Sequence, residues 1–214
     1  MKMLLLISGG IDSPVAGALA LREGHELCAV HYNNYPFTDE KNTEKAKKNA
    51  QNIAGLFKKK IAFYSVKHGP NLSAIGKNCD RHINCILCRR MMFRIAEKIA
   101  EKEGCKALLT GENLAQVASQ TLWNLAAEKS ATKMQIVRPL LCLDKEQIIS
   151  LAKEFETFKT SIERALCCTI VPKKPSTMAK KIFVEEEEKK MRIQELVEKA
   201  VEGAEKIIIL PAKK

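Results

Sequence analysis

The stretch Ser8-Gly9-Gly10-Ile11-Asp12-Ser13 lies between an apolar run, Met3 to Ile7, and a segment with helical character from about Pro14 to Glu23 that closes at Gly24. A Gly-Gly pair between a buried strand and a helix lets backbone amides approach an anion closely, and the helix adds the partial positive charge of its N-terminus. Ser8 and Ser13 bring hydroxyl donors, and Asp12 brings a carboxylate for a Mg2+ ion that shields phosphate charge. Pro14 is tolerated in the first helical turn, where its missing amide hydrogen would have no intrahelical acceptor. The string lacks the Gly-Lys-Ser/Thr ending of a Walker A loop, which argues against ordinary hydrolysis of a terminal phosphate.

Outward from this loop the chain alternates. Cys28 to Tyr32 reads as a second strand, Thr43 to Phe57 as a Lys-rich helix, Ile61 to Val66 as a strand, Cys88 to Lys102 as a helix and Ala107 to Thr110 as a strand. Further helices are expected over Ala115 to Ala127 and Lys145 to Phe155, with a weak strand at Ile136 to Leu140 between them. Alternation of this kind predicts an α/β fold, a parallel sheet covered by helices on both faces. Lys67 to Asn84, with Gly69, Pro70 and Gly76, reads as a long functional loop, and a second irregular stretch surrounds Cys167 to Thr177. Glu185 to Val201 reads as one charged helix and Lys206 to Leu210 as a last strand.

With 214 residues, one domain spanning 1–214 is expected. The apolar and charged fractions, 46% and 29%, fit a soluble protein, and no apolar run approaches the roughly 18 residues that span a bilayer. Met3 to Ile7 is too short for a secretory signal, so the expected location is the cytosol, away from any membrane. The net charge of +11 favours a polyanionic partner such as RNA or a nucleotide. Many lysines alternate with glutamates on helix faces and solvate the surface, whereas Lys173, Lys174, Lys180 and Lys181 form a local basic patch.

Eight cysteines in a cytosolic chain do not read as a disulfide framework. Cys28, Cys105 and Cys142 sit among apolar residues and read as small buried hydrophobes. Cys85-Ile86-Leu87-Cys88 has the spacing that lets two thiolates reach one metal centre. Its readings are a zinc site completed by Cys79 or His82, a redox pair, or two ligands of an iron-sulfur cluster.

SGGIDSPVA (Ser8 to Ala16), PFT (Pro36 to Thr38), RRMM (Arg89 to Met92), GENLAQVASQTL (Gly111 to Leu122), VRPL (Val137 to Leu140), Asp144-Lys145, and Cys167-Cys168-Thr169 followed by Pro172 to Thr177 occur in that order. Together they resemble the catalytic domain of tRNA 4-thiouridine synthetase, the ThiI family of the PP-loop superfamily, over essentially the whole chain. The resemblance implies an adenine nucleotide alpha-hydrolase-like, Rossmann-like three-layer sandwich. It also implies cleavage of ATP between the alpha and beta phosphates. The family's nucleotide contacts fall on Leu6, Ile7, His31, Tyr32, Arg89, Gly111 and Gln120, besides Ser8, Gly9, Gly10, Asp12 and Ser13. His31 and Tyr32 end a strand at the carboxyl edge where open parallel sheets bind ligands. The implied reaction is attack of uridine O4 at tRNA position 8 on the alpha phosphate, followed by displacement of AMP by sulfur, with Asp12 and Cys168 as catalytic residues.

Archaeal-type relatives place a [4Fe-4S] cluster on such a C-x-x-C pair plus one distant cysteine, so the implied ligands are Cys85, Cys88 and Cys168, with Cys167 as the neighbouring candidate. Zinc is the rival occupant. A three-cysteine cluster leaves one iron open to a sulfide, whereas in cluster-free relatives the cysteine matching Cys168 works through persulfide and disulfide chemistry. Full-length relatives carry ferredoxin-like and THUMP domains before the PP-loop, and some end in a rhodanese domain. The expected partners are therefore tRNA held through a separate THUMP protein and a sulfur donor such as sulfide or a cysteine desulfurase, with a homodimer as a further arrangement. The alternatives are the same chemistry on another tRNA base or a thiamine precursor, or a non-catalytic ATP-binding subunit of a THUMP protein.

Overall fold

The first apolar run forms β1 (Lys2–Leu6), whose residues are buried on both sides: Met3 and Leu5 face one layer of helices, Leu4 and Leu6 the other. This is why its sequence is continuously apolar rather than alternating. The computed structural model describes every residue except Ala115, Gln116, Ala118 and 212–214. After β1 come α1 (Asp12–Arg22), β2 (Glu26–Asn33), α2 (Lys41–Leu56), β3 (Ile61–Lys67) and α3 (Gly69–Asn78). They are followed by α4 (Asn84–Lys102), β4 (Ala107–Leu109), α5 (Leu122–Lys129), β5 (Gln135–Val137), α6 (Lys145–Glu154) and α7 (Phe158–Ser161). The chain closes with α8 (Lys181–Glu188), α9 (Ile193–Glu202) and β6 (Glu205–Ile209).

The six strands form one sheet in the order β5-β4-β1-β2-β3-β6, parallel except for β6, which runs antiparallel to β3 at one edge. α1, α2 and α6 pack through Val15, Ala50, Ile53 and Ile148 on the face carrying Leu5 and Ala29. α4 and α9 pack through Met91, Phe93, Ile95 and Val197 on the face carrying Leu4 and Val30. Because β2 and β4 flank β1, the connections leave it in opposite directions, which opens a crevice beyond the carboxyl ends of β1 and β4.

Four expectations change. Lys67 to Asn84 is not a loop: Pro70 stands in the first turn of α3, where proline starts helices, and a short 3-10 turn, Arg81–Ile83, leads into α4. Gly76 lies inside α3, where a Cβ would stand 2.9 Å from Ile170 Cδ1, so glycine there permits close packing. The helix expected over 115–127 begins at Leu122, where the Thr121 side chain caps it by accepting from the Asn124 amide; Ala115, Gln116 and Ala118 of that expectation lie outside the described residues. Glu185 to Val201 divides into α8 and α9, because Glu187 and Glu188 turn inward, to the Asp80 amide and to Arg90 and Arg94. Cys28 and Cys105 are buried, but Cys142 is exposed on the turn after β5. No described helix is long and apolar enough to cross a membrane.

Candidate active site

The Ser8–Ser13 loop folds back on itself at the start of α1. The Ser8 amide donates to Ser13 Oγ (2.8 Å), the two hydroxyls are 3.0 Å apart, and the Gly10 amide donates to Ser8 Oγ (3.2 Å). Ser161 Oγ donates to the Gly10 carbonyl (3.2 Å), and a Cβ on Gly9 would stand 3.0 Å from Lys45 Cβ. The loop is thus wedged between α2, α7 and β1 at the positive end of α1.

A cleft of about 570 Å³ opens above the loop, and all twelve nucleotide positions expected from the sequence line it, with Cys167 and Cys168 at one wall. His31 reaches it from β2, buried, with Nδ1 3.1 Å from the Ile7 carbonyl and Nε2 3.2 Å from Thr43 Oγ1. A carbonyl can only accept, so Nδ1 carries the hydrogen and Nε2 accepts from the Thr43 hydroxyl. The Tyr32 hydroxyl donates to the Met92 carbonyl (2.6 Å), which fixes β2 to α4, and burial pushes this phenol well above its usual range. Gln120 precedes α5 rather than standing on a helix. Gly111 follows β4 and presses on the loop, because a Cβ there would stand 2.5 Å from the Ser13 amide nitrogen.

Several residues of the site carried no role in the sequence reading. Glu112, fully buried, holds Arg89 (3.0 Å) and Arg138 (2.6 Å) and accepts from the Thr110 hydroxyl (2.9 Å). Burial alone would raise this carboxyl, but the two arginines more than offset it and hold it below the usual range. The GEN and VRP strings therefore meet at one carboxylate that orients Arg89. Lys145, at the first position of α6, reaches Asp12 Oδ1 at 2.8 Å across 133 residues of sequence. Pairs this distant in the chain leave no local pattern to read.

Segment 163–169 is strapped onto the mouth of α2 by backbone bonds. Lys45 Nζ donates to the Glu163 carbonyl (2.6 Å), Asn42 to the Leu166 carbonyl (2.9 Å), the Leu166 amide to Asp39 (3.0 Å), and the Thr169 amide to the Phe37 carbonyl (3.0 Å). These bonds bring Cys167, exposed, and Cys168, half-buried, to the cleft wall.

Cys85 and Cys88 stand in the first turns of α4 and do not line the cleft, though Arg89 and Met92 beside them do. His68, fully buried, lies with Nε2 3.3 Å from Cys88 Sγ and Nδ1 3.1 Å from Asn71 Nδ2. The amide nitrogen of Asn71 only donates, so Nε2 carries the hydrogen and donates to the sulfur. Burial pushes the thiols of Cys85 and Cys88 up, and both also feel Cys168, whose own thiol is raised by burial. The three thiols are thus electrostatic neighbours, although no three His, Cys, Asp or Glu among the described residues are gathered closely enough for a single ion. Cys79 donates to the Glu187 carbonyl (3.4 Å) and His82 Nδ1 to the Lys174 carbonyl (2.7 Å), so neither joins them.

A family model described as thiamine biosynthesis protein (ThiI) matches residues 1–193. The chain belongs to the ThiI family. A probable tRNA sulfurtransferase of Finegoldia magna is 42% identical over 208 residues, covering 96% of this chain and 53% of that protein. A probable tRNA sulfurtransferase of Methanosarcina mazei is 37% identical over 204 residues, covering 95% and 50%. The chain spans about half the length of the curated relatives it matches. The crystal structure of a 4-thiouridine synthetase–RNA complex with bound ATP matches with a TM-score of 0.93 and 37% identity over 97% of this chain and 55% of that one. NMN synthetase from Francisella tularensis, at TM-score 0.53 and 16% identity, shares the fold alone.

Within this ThiI-family cleft His31 also makes stability depend on pH. Burial pulls its pKa down to about 4, so the folded ring is neutral where the unfolded one titrates near the usual value of about 6.5. The unfolded chain then binds more protons, so stability present above pH ~6.5 is lost as pH falls toward ~4, on the order of 3 kcal/mol for this group. Urea midpoints measured at pH 7 and pH 4.5 should therefore differ less in His31→Gln than in the wild type; an identical pH dependence would contradict the assignment.

Proposed function

We propose that the chain is the ATP-using unit of a tRNA sulfurtransferase that adenylates uridine, U8 by the family's pattern, and replaces its O4 with sulfur. The observation that carries this reading is the single cleft where the phosphate loop, Arg89 and the Cys168 wall meet. The fit to a 4-thiouridine synthetase holding ATP supports it.

The amides of Gly9 and Gly10, the hydroxyls of Ser8 and Ser13 and the α1 N-terminus suit phosphate oxygens. Asp12 opens onto the cleft, and one carboxylate completed by phosphate oxygens is a donor set that Mg2+ accepts. Bound there, Mg2+ would stabilise charge on departing pyrophosphate. Uridine O4 forms a bond to the alpha phosphorus as the bridge to the beta phosphate breaks and pyrophosphate leaves. Sulfur then bonds to C4 as the C4–O4 bond breaks, and AMP departs with that oxygen. Adenylation is needed because a carbonyl oxygen leaves poorly and AMP leaves well.

Cys85, Cys88 and Cys168 are the donors that would hold a [4Fe-4S] cluster. Three thiols suit it better than zinc, since Cys79 and His82 are bonded elsewhere and His68, beside Cys88, donates to that sulfur rather than offering a free lone pair. Such a cluster would supply an iron open to sulfide, delivered as sulfide itself or released from a cysteine desulfurase's persulfide by two thiols that leave as a disulfide. The exposed Lys173, Lys174, Lys180 and Lys181 follow the Cys168 wall in sequence and offer a cationic surface to tRNA phosphates.

Purified and reconstituted without oxygen, the protein should carry about four irons per chain with broad absorption near roughly 400 nm; zinc alone after that treatment would remove the cluster from the account. Asp12→Ala should lower tRNA-dependent conversion of ATP to AMP by about 10²-fold or more, and unchanged turnover would refute the role given to this carboxylate. The family's thiamine description favours a second acceptor, a thiamine precursor. Intact 4-thiouridine in the tRNA of a strain lacking the gene would select that reading.

A further inference from the structure

Lys45 is 7% exposed, yet its ammonium has no carboxylate partner among the described residues; it meets only the Glu163 carbonyl. Lysine is almost never buried without a counter-charge, because desolvation of the ammonium is then uncompensated. Its stem lies flat on the phosphate loop, since a Cβ on Gly9 would stand 3.0 Å from Lys45 Cβ and 3.4 Å from Lys45 Cε. The residue lines the cleft. The other lysine at the loop, Lys145, is already paired with Asp12. Arg164, one residue beyond Glu163, lines the same cleft and likewise has no ion pair among the described residues. A buried cation held only by a carbonyl keeps its full charge for an anion at the loop it lies against.

We propose that Lys45 is the contact for the beta and gamma phosphates in this cleft, and that it stabilises pyrophosphate as the bond to the alpha phosphate breaks, with Arg164 as the second cation. This rests on the reading that ATP is cut between the alpha and beta phosphates. In that step the bridging oxygen keeps the electron pair of the broken bond, so negative charge accumulates on the leaving pyrophosphate, where a fixed ammonium lowers the barrier. The geometry also explains why the lysine bonds a backbone carbonyl. A carbonyl positions the ammonium without neutralising it, whereas a carboxylate would compete with the phosphates.

The rival explanation is a purely structural strap from α2 to segment 163–168. Calorimetric binding of ATP, inorganic pyrophosphate and AMP to Lys45→Gln separates the two, because glutamine keeps a donor and most of the stem. The expected result is a loss of about tenfold or more in affinity for ATP and pyrophosphate, with AMP affinity within about twofold of wild type. Lys45→Arg should recover much of the loss, and Arg164→Gln, on an exposed side chain, should show a smaller loss with the same selectivity. Equal losses for AMP and ATP would mean a strap, and unchanged pyrophosphate affinity would overturn the proposal. Wild-type protein that converts ATP to ADP would instead overturn the underlying cleavage reading.

Discussion

Gly111→Ala lowers ATP turnover by about 10²-fold or more, although it adds a single methyl group. The Cβ would stand 2.5 Å from the Ser13 nitrogen and 2.6 Å from both the Asp12 carbonyl carbon and Ser13 Cα, all backbone atoms of the Ser8–Ser13 loop. No side chain can rotate away, so one backbone must move. β4 is held on both sides, with Leu108 paired to Leu4 and Ile136, which leaves the loop to yield. Displacing reacting groups by about 1 Å can cost a factor of 10². The steady-state rate of AMP formation measures the effect, and thermal denaturation bounds the accompanying overpacking at about 1–3 kcal/mol. Gly55→Ala is the control: it meets nothing within 4 Å on α2, and alanine there should leave activity unchanged and stabilise the helix slightly.

The largest stability effect is expected at Glu188. Arg90 is 1% exposed and donates to both Glu188 oxygens (2.9 and 2.7 Å), to the Ala127 carbonyl and to Ser130 Oγ (2.6 Å), while Arg94 takes the same carboxylate (2.5 and 2.8 Å). Removing the carboxylate leaves the buried Arg90 guanidinium with only the partly exposed Glu185 carboxylate, 4.0 Å away, so Glu188→Ala should destabilise by about 3 kcal/mol. The exposed Glu195–Lys199 pair should matter little, about 0–1 kcal/mol, so Glu195→Ala serves as the comparison. Urea denaturation at pH 7 gives both numbers. Burial would raise the Glu188 carboxyl, but its arginines hold it below the usual range, so its contribution is present above the unfolded value and fades as pH falls through the folded one. The gap between wild type and Glu188→Ala should accordingly narrow in strong acid.

These two sites mark how far the sequence could be read. The sheet was legible because β1 and β2 are buried on both faces and β3 on one, so that all three appear as short apolar runs between helical segments. The turn between β1 and α1 was legible because Gly9 and Gly10 fall together just ahead of Pro14. α3 was misread because Pro70 and Gly76 weigh toward a loop by composition, whereas one starts the helix and the other lets it approach Ile170. Glu187 and Glu188 looked like a solvated charge run, and partners nearly a hundred residues earlier or more, the Asp80 amide, Arg90 and Arg94, turn that run inward. The same limit applies in the cleft. Asp12 with Lys145, and Glu112 with Arg89 and Arg138, are arrangements of the folded chain rather than of any stretch of it.

If one reaction joins the Ser8–Ser13 loop to the Cys168 wall, the products formed when the anaerobically reconstituted protein meets ATP, tRNA and sulfide will be coupled in number. The expected result is AMP and pyrophosphate in equal amounts, matched by 4-thiouridine in the recovered tRNA, with all three lost in Asp12→Ala and the thiolated base lost in Cys168→Ser. Formation of ADP and phosphate, or 4-thiouridine that still appears with Cys168→Ser, would contradict it.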